Sequence, residues 1–204
     1  TGGPQGQVYK EAIMANQTVA FGLRPIGKVG QNDDNQGLSE YSIDASSDAM
    51  YQNDPVSAAA TGYITVAATS TATILGSLNG IYYTDANTSK PTWANNLKAA
   101  NTATDIVGFV SDDPYERFEI QSSDTAASTQ TNIFLCADIK YTAGDSANYL
   151  SRVELDNDTL TTTAQQLKIL GVTKNIDNDE IGSSHVNWIV KVNSHFLANG
   201  TAGI

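Results

Sequence analysis

Positive charge is scarce in this chain: 11 Lys and Arg stand against 22 Asp and Glu, for a formal net charge of −11 over 204 residues. A protein that grips nucleic acid neutralises phosphates with Lys and Arg, so this balance argues against a direct nucleic-acid partner. Charge of either sign is thin, 16% of residues where about 25% is ordinary for a soluble domain. Cysteine is reduced to Cys136, which has no second thiol in the chain to pair with and stands in the apolar run Ile133-Phe134-Leu135-Cys136-Ala137; the expectation is a buried, inert thiol. There is no apolar run of the roughly 18 residues that a bilayer-spanning helix needs, so no membrane partner is expected. The opening Thr1-Gly2-Gly3-Pro4-Gln5-Gly6 lacks the charged-then-apolar order of a secretion signal, and a soluble protein without such a signal is the reading.

What fills the sequence instead is neutral polarity. Its 22 Thr, 17 Ser and 17 Asn make a surface of uncharged hydrogen-bonding groups the expected source of solubility. Tyr, Ile, Leu and Val are spread along most of the length, so a core can form and disorder is not implied. The acid is skewed to Asp, 16 against 6 Glu, and Asp favours turns where Glu favours helix interiors.

Along the chain, strand signals dominate. Residues 1–20 read as an extended N-terminal arm with too little apolar content to fold alone. Residues 21–204 read as a single β-rich domain. Tyr41-Ser42-Ile43, Tyr63 to Ala67, Ala72 to Tyr83, Asp105 to Val110 and Gln165 to Val172 carry β-branched and aromatic residues in short runs between turn formers. Arg117 to Gln121 alternates as a strand with one wet face, and Thr131 to Ile139 reads as a buried strand. In His185 to Asn193, Val186, Trp188, Val190 and Val192 fall on one face, the clearest core prediction. Asn53-Asp54-Pro55-Val56 reads as a turn, and Lys90 to Ala100 as one of the few helical turns. With no long amphipathic helix and no βαβ alternation, the fold class is all-β: an antiparallel β-barrel or sandwich with few short helical turns.

Chemistry is harder to place. No H-E-x-x-H frame accompanies His185 and His195, and neither a Gly-x-Ser-x-Gly elbow nor a phosphate loop occurs. Both histidines read as structural. The carboxylate pairs Asp33-Asp34 and Asp112-Asp113 read as turn residues. No catalytic residue, cofactor or metal is expected, and the protein is not expected to be an enzyme. Calcium is the alternative weighed, because Asn175 to Glu180 and Asp156-Asn157-Asp158 gather hard oxygen ligands, although without EF-hand spacing. The Asn-x-Ser/Thr matches at Asn16, Asn87, Asn157 and Asn199 are what a Thr-rich chain yields by chance.

Several islands, taken in order, resemble capsid decoration (cement) proteins of tailed double-stranded DNA bacteriophages. They are Phe21-Gly22-Leu23-Arg24-Pro25, Tyr41-Ser42-Ile43 with Asp54-Pro55-Val56, and Asp112-Asp113-Pro114 leading into Phe118-Glu119-Ile120-Gln121. Ser151 to Asp156, Leu167 to Gly171 and Trp188 to His195 continue the series. The likeness covers about residues 21 to 196, with 57–104 matching least, as a divergent loop or insertion region would. It implies a structural virion protein on the outer capsid surface, made in the host cytoplasm. Such a protein clamps adjacent subunits of the major capsid protein and is itself a homo-oligomer, commonly a trimer. The expected capsid or subunit interface comprises Val8, Tyr9, Ile13 and Met14 on the arm with Phe21, Leu23, Arg24 and Pro25 at its root. A tail-fibre or receptor-binding adhesin domain is the alternative, since Thr- and Asn-rich β proteins also suit glycan recognition.

Overall fold

The computed structural model describes residues 16–30, 37–99, 101–123, 127–174 and 178–198, and fifteen strands run through them. In chain order these begin with β1 (Arg24–Lys28), β2 (Ser39–Ser42), β3 (Met50–Tyr51), β4 (Pro55–Ala58) and β5 (Ile64–Val66). Then follow β6 (Gly76–Thr84), β7 (Pro91–Ala94), β8 (Asn96–Leu97), β9 (Val107–Ser111) and β10 (Glu116–Gln121). The series ends with β11 (Cys136–Ala137), β12 (Ile139–Lys140), β13 (Glu154–Leu155), β14 (Leu167–Val172) and β15 (Asn187–Val192). Two short 3₁₀ turns, Gln130–Asn132 and Asn157–Thr159, are the helical content. The all-β expectation holds, with several antiparallel sheets.

Two sheets carry the architecture. The first has the order β1-β10-β15-β14-β11. Its inner face buries Phe118, Ile120, Leu167, Ile169, Val186, Trp188, Val190 and Val192, so the predicted face of β15 is core. The second has the order β2-β9-β6-β4-β5, with β7 also paired to β6. An isolated parallel bridge from Ile43 to Ile64 joins its two ends. Inside lie Ile43, Val56, Ile64, Val66, Leu75, Leu78, Ile81 and Val110. Close approach at Gly76 explains the tightness of this sheet: a Cβ there would collide with the carbonyl oxygen of Ser111 and the side chain of Val110.

The second sheet is an excursion from the first. β1 and β10 are antiparallel partners, Lys28 opposite Glu116, and Val29 N–H donates to the Tyr115 carbonyl at 2.8 Å. Everything from residue 29 to 115 is inserted into that hairpin. The insertion is stitched back by Ala67 and Ile74, which join the first core, and by the Ile74–His195 bridge. Residues 57–104, expected as a divergent loop or insertion region, lie within it and form ordered strands.

Four local expectations are corrected. The described part of Lys90 to Ala100 is not helical: Pro91–Ala94 pairs with β6 and Asn96–Leu97 with β3, the ladder outweighing the helix propensity of Leu, Lys and Ala. Thr131 to Ile139 is not one buried strand, because it opens with a 3₁₀ turn and turns out at Phe134 (φ 75°), which is 71% exposed. Asn53-Asp54 makes the turn, with Asn53 at φ 68°, but Pro55 starts a strand, the position that tolerates a missing donor. The polar face of β10 is not wet: Glu119 is buried beneath Arg24 of β1, and Gln121 beneath the segment that precedes β1.

Candidate functional site

That covering segment is residues 16–23, the described end of the predicted arm and its root. It has no strand ladder, and its backbone is read by side-chain amides instead. Gln17 N–H donates to Asn178 Oδ1 (2.9 Å), and its carbonyl accepts from Asn178 Nδ2 (2.6 Å) and Gln121 Nε2 (3.0 Å). Val19 N–H donates to Gln121 Oε1 at 2.9 Å. An amide side chain offers one acceptor and two donors, so Gln121 and Asn178 present to this strap what a neighbouring peptide group would. Asn16 Nδ2 donates to the carbonyls of Glu180 (3.2 Å) and Ser184 (2.9 Å), and Thr18 Oγ1 meets His185 Nε2 at 2.9 Å. Residues 16–18, the start of the described chain, are thereby fixed beside the turn that precedes β15.

Gly22, at φ +76°, swings the strap into β1. Leu23 then drops fully into the core, its N–H donating to the Asn53 carbonyl at 2.9 Å and its carbonyl accepting from Ser77 Oγ at 2.5 Å. Arg24 turns outward, pairs with Glu119 and lays its guanidinium 4.6 Å from the Phe21 ring centroid, a cation–π contact that presents both groups at the surface. Asn187 Nδ2 donates to the other oxygen of Glu119 at 3.2 Å. Of the predicted interface residues, Phe21 and Arg24 lie on the outer side of this root, Pro25 is half-buried opposite Phe118 on the core side, Leu23 is internal packing, and Val8, Tyr9, Ile13 and Met14 lie outside the described residues.

A second surface was missed by sequence reasoning. Directly opposed residues of antiparallel strands share a face, and the registers place Glu40 with Phe109, Ser42 with Val107, Val107 with Tyr82, Tyr82 with Trp93, and Thr84 with Pro91. On this outer face of the second sheet, Trp93 stacks on Phe109 with centroids 4.9 Å apart and planes 28° apart. It meets Tyr82 at 5.0 Å. Trp93 is nevertheless 68% exposed. The signal was present in the alternation of Tyr82, Thr84 and Val107, Phe109, but Trp93 belonged to the segment read as helical.

The remaining candidates have structural duties. Asp112 accepts from Ser39 Oγ (3.0 Å) and from the Tyr41 hydroxyl (2.6 Å), and burial together with that carboxylate pushes Tyr41 up to about 12. Asp113 pairs with Lys28 at 2.8 Å. His195 is buried, its Nδ1 accepting from Leu197 N–H at 3.0 Å, and burial holds its pKa below the ordinary imidazole value. Cys136 is buried, as expected. Asp33-Asp34 lies outside the described residues. Among the described residues no three His, Cys, Asp or Glu side chains are grouped to hold a metal. Asp156 caps its own turn through Asp158 N–H and Asn157 donates to the Ser123 carbonyl, while residues 175–177 of the other acidic cluster lie outside the described residues. No known protein family matches the chain, and no similar curated protein or solved structure was found.

Proposed function

We propose that this chain is a structural virion protein that decorates the outside of a tailed-phage head as a homo-oligomer, a trimer by the family resemblance, and clamps neighbouring major capsid subunits without turning over a substrate. The ordered islands between residues 21 and 196 support this, as does the acidic, neutral-polar composition, which suits an outer surface better than one facing packaged DNA. The observation that carries it is the anchored strap. Residues 16–20 are clamped to the domain through Gln121, Asn178 and His185, which gives the sequence before them a fixed root, and to its apolar residues Val8, Tyr9, Ile13 and Met14 we assign the contact with a neighbouring subunit. Each footing of this kind is modest, on the order of 800 Å² per partner, and oligomerisation multiplies several into one firm attachment through effective concentration.

Deleting residues 1–15 tests the reading. The truncated protein should keep its melting temperature and its oligomeric state yet fail to bind heads stripped of decoration, as judged by electron microscopy and co-sedimentation. Equal attachment by the truncation would discard the arm as the contact, and no attachment by the full chain would discard decoration altogether.

A further inference from the structure

We infer that the outer face of β2, β9, β6 and β7 is a binding platform for a neutral polysaccharide, with the free face of Trp93 as the stacking surface. Trp93 touches Phe109 almost in parallel and Tyr82 at a tilt. An indole that makes both contacts and still keeps 68% of its surface accessible has one broad face towards water. Leaving that much apolar surface wet gives up roughly 25 cal/mol for each Å² that burial would have removed. The two rings underneath hold the indole in one orientation, so a ligand need not order it on binding.

What surrounds the rings decides the class of ligand. A protein partner needs a continuous core within a footprint on the order of 800 Å², and such cores are depleted in charge. Among the described residues of this face Trp93 is the strongly exposed large hydrophobic side chain; Tyr82, Phe109 and Val107 beside it are half-buried, Pro91 lies at one end, and Thr84, Ser42 and Glu40 make the polar margin. That area is too small for a protein interface but matches one or two pyranose rings, whose C–H faces stack on aromatic π-systems while their hydroxyls donate to nearby oxygens. Glu40, exposed and opposite Phe109, supplies such an acceptor. Charge sets the remaining limit. Asp105 stands at the Thr84 end, held ionised by the Thr84 hydroxyl and N–H, which lower its pKa. With Glu40 at the other side and a chain net charge of −11, anionic polymers are repelled and neutral ones admitted.

This inference does not depend on head attachment and is tested without heads. The full chain is run in native gels containing dextran, amylose, a soluble β-glucan, mannan or galactan, with alginate as the anionic control. Retardation by at least one neutral polymer is expected, with none by alginate. Trp93→Ala, at an exposed position that leaves folding intact, should weaken the retardation at least about tenfold, while Trp93→Tyr should keep part of it. Binding should also shield one of the two tryptophans from acrylamide quenching. Failure of every neutral polymer to retard the wild type, full retention by Trp93→Ala, or a change of oligomeric state in Trp93→Ala would each overturn the proposal, the last by making the face a contact between proteins.

Discussion

A Cβ built on Gly22 would stand 2.5 Å from the Cβ of Ser151 and would also strike the Asn53 carbonyl oxygen, while the backbone there is held at φ +76°. Both constraints act at the joint where the strap turns into β1. Gly22→Ala should therefore lower stability by about 3 kcal/mol or more, combining left-handed strain with a clash against rigid backbone. Gly62, at φ +82° with open space around it, isolates the first term. Gly62→Ala should cost only about 1 kcal/mol. Urea melts of the two variants, compared at one pH, check the difference.

The two tryptophans should behave as opposites. Trp188 is fully buried among Phe118, Ile120 and Val190, and Trp188→Ala should cost about 3 to 5 kcal/mol through lost burial and a residual cavity. Trp93→Ala should change stability by no more than about 1 kcal/mol, because the ring is largely exposed. A Trp188→Ala protein that melts within a degree or two of wild type would place the indole on the wrong side of the sheet.

Gln121 and Asn178 serve the strap as a surrogate strand. Gln121→Ala removes the partners of the Gln17 carbonyl and the Val19 N–H, and Asn178→Ala those of the Gln17 carbonyl and N–H; residues 17–19 are exposed, so water replaces the lost bonds and each change should cost about 1 kcal/mol. The specific readout is amide hydrogen exchange: protection of Gln17 and Val19 should fall in Gln121→Ala while β14 and β15 keep theirs. Loss spread evenly over the whole domain would mean that the clamp has no local role.

Stability should fall as pH rises from about 4 to 7. Burial lifts Asp54 from 3.8 to about 6 and Glu116 from 4.5 to about 7. A folded-state pKa above the unfolded value means that the folded chain holds the proton more tightly, so protonation stabilises the fold and that contribution fades as pH climbs through the folded pKa. Each shift of about two pH units corresponds to about 3 kcal/mol. The half-buried Asp85 and the exposed Asp105, lowered by hydrogen bonds from Thr88 and Thr84, act the other way once pH drops below the ordinary carboxylate range. The double variant Asp54→Asn, Glu116→Gln should flatten the profile between about pH 4 and 7 in denaturant titrations, and an unchanged slope would refute the assignment.

Legibility followed locality. β15 could be read because Val186, Trp188, Val190 and Val192 bury one face against polar residues on the other. β7 could not, because Trp93 and Ala94 sit before Leu97, Lys98 and Ala99, all good helix formers, and only pairing with the distant β6 makes the segment extended. The strap was half legible. Gly22-Leu23-Arg24 marked a transition, but that Gln121 and Asn178, more than 100 residues on, satisfy its backbone follows from tertiary placement alone. The same holds for Glu119: alternation put it on the polar face of β10, and nothing in the run indicated that Arg24 would cover it.

The position of residues 29–115 between two hydrogen-bonded partners, β1 and β10, sets the order in which the protein acquires its structure. β1 leaves the ribosome early but has no mate until the whole excursion has been synthesised and gathered, since closing a loop carries an entropic cost that grows with its length and distant pairings form slowly. The inserted sheet, whose strands pair mostly with one another, is expected to nucleate first, and the zipping of Lys28 against Glu116 is expected late in refolding.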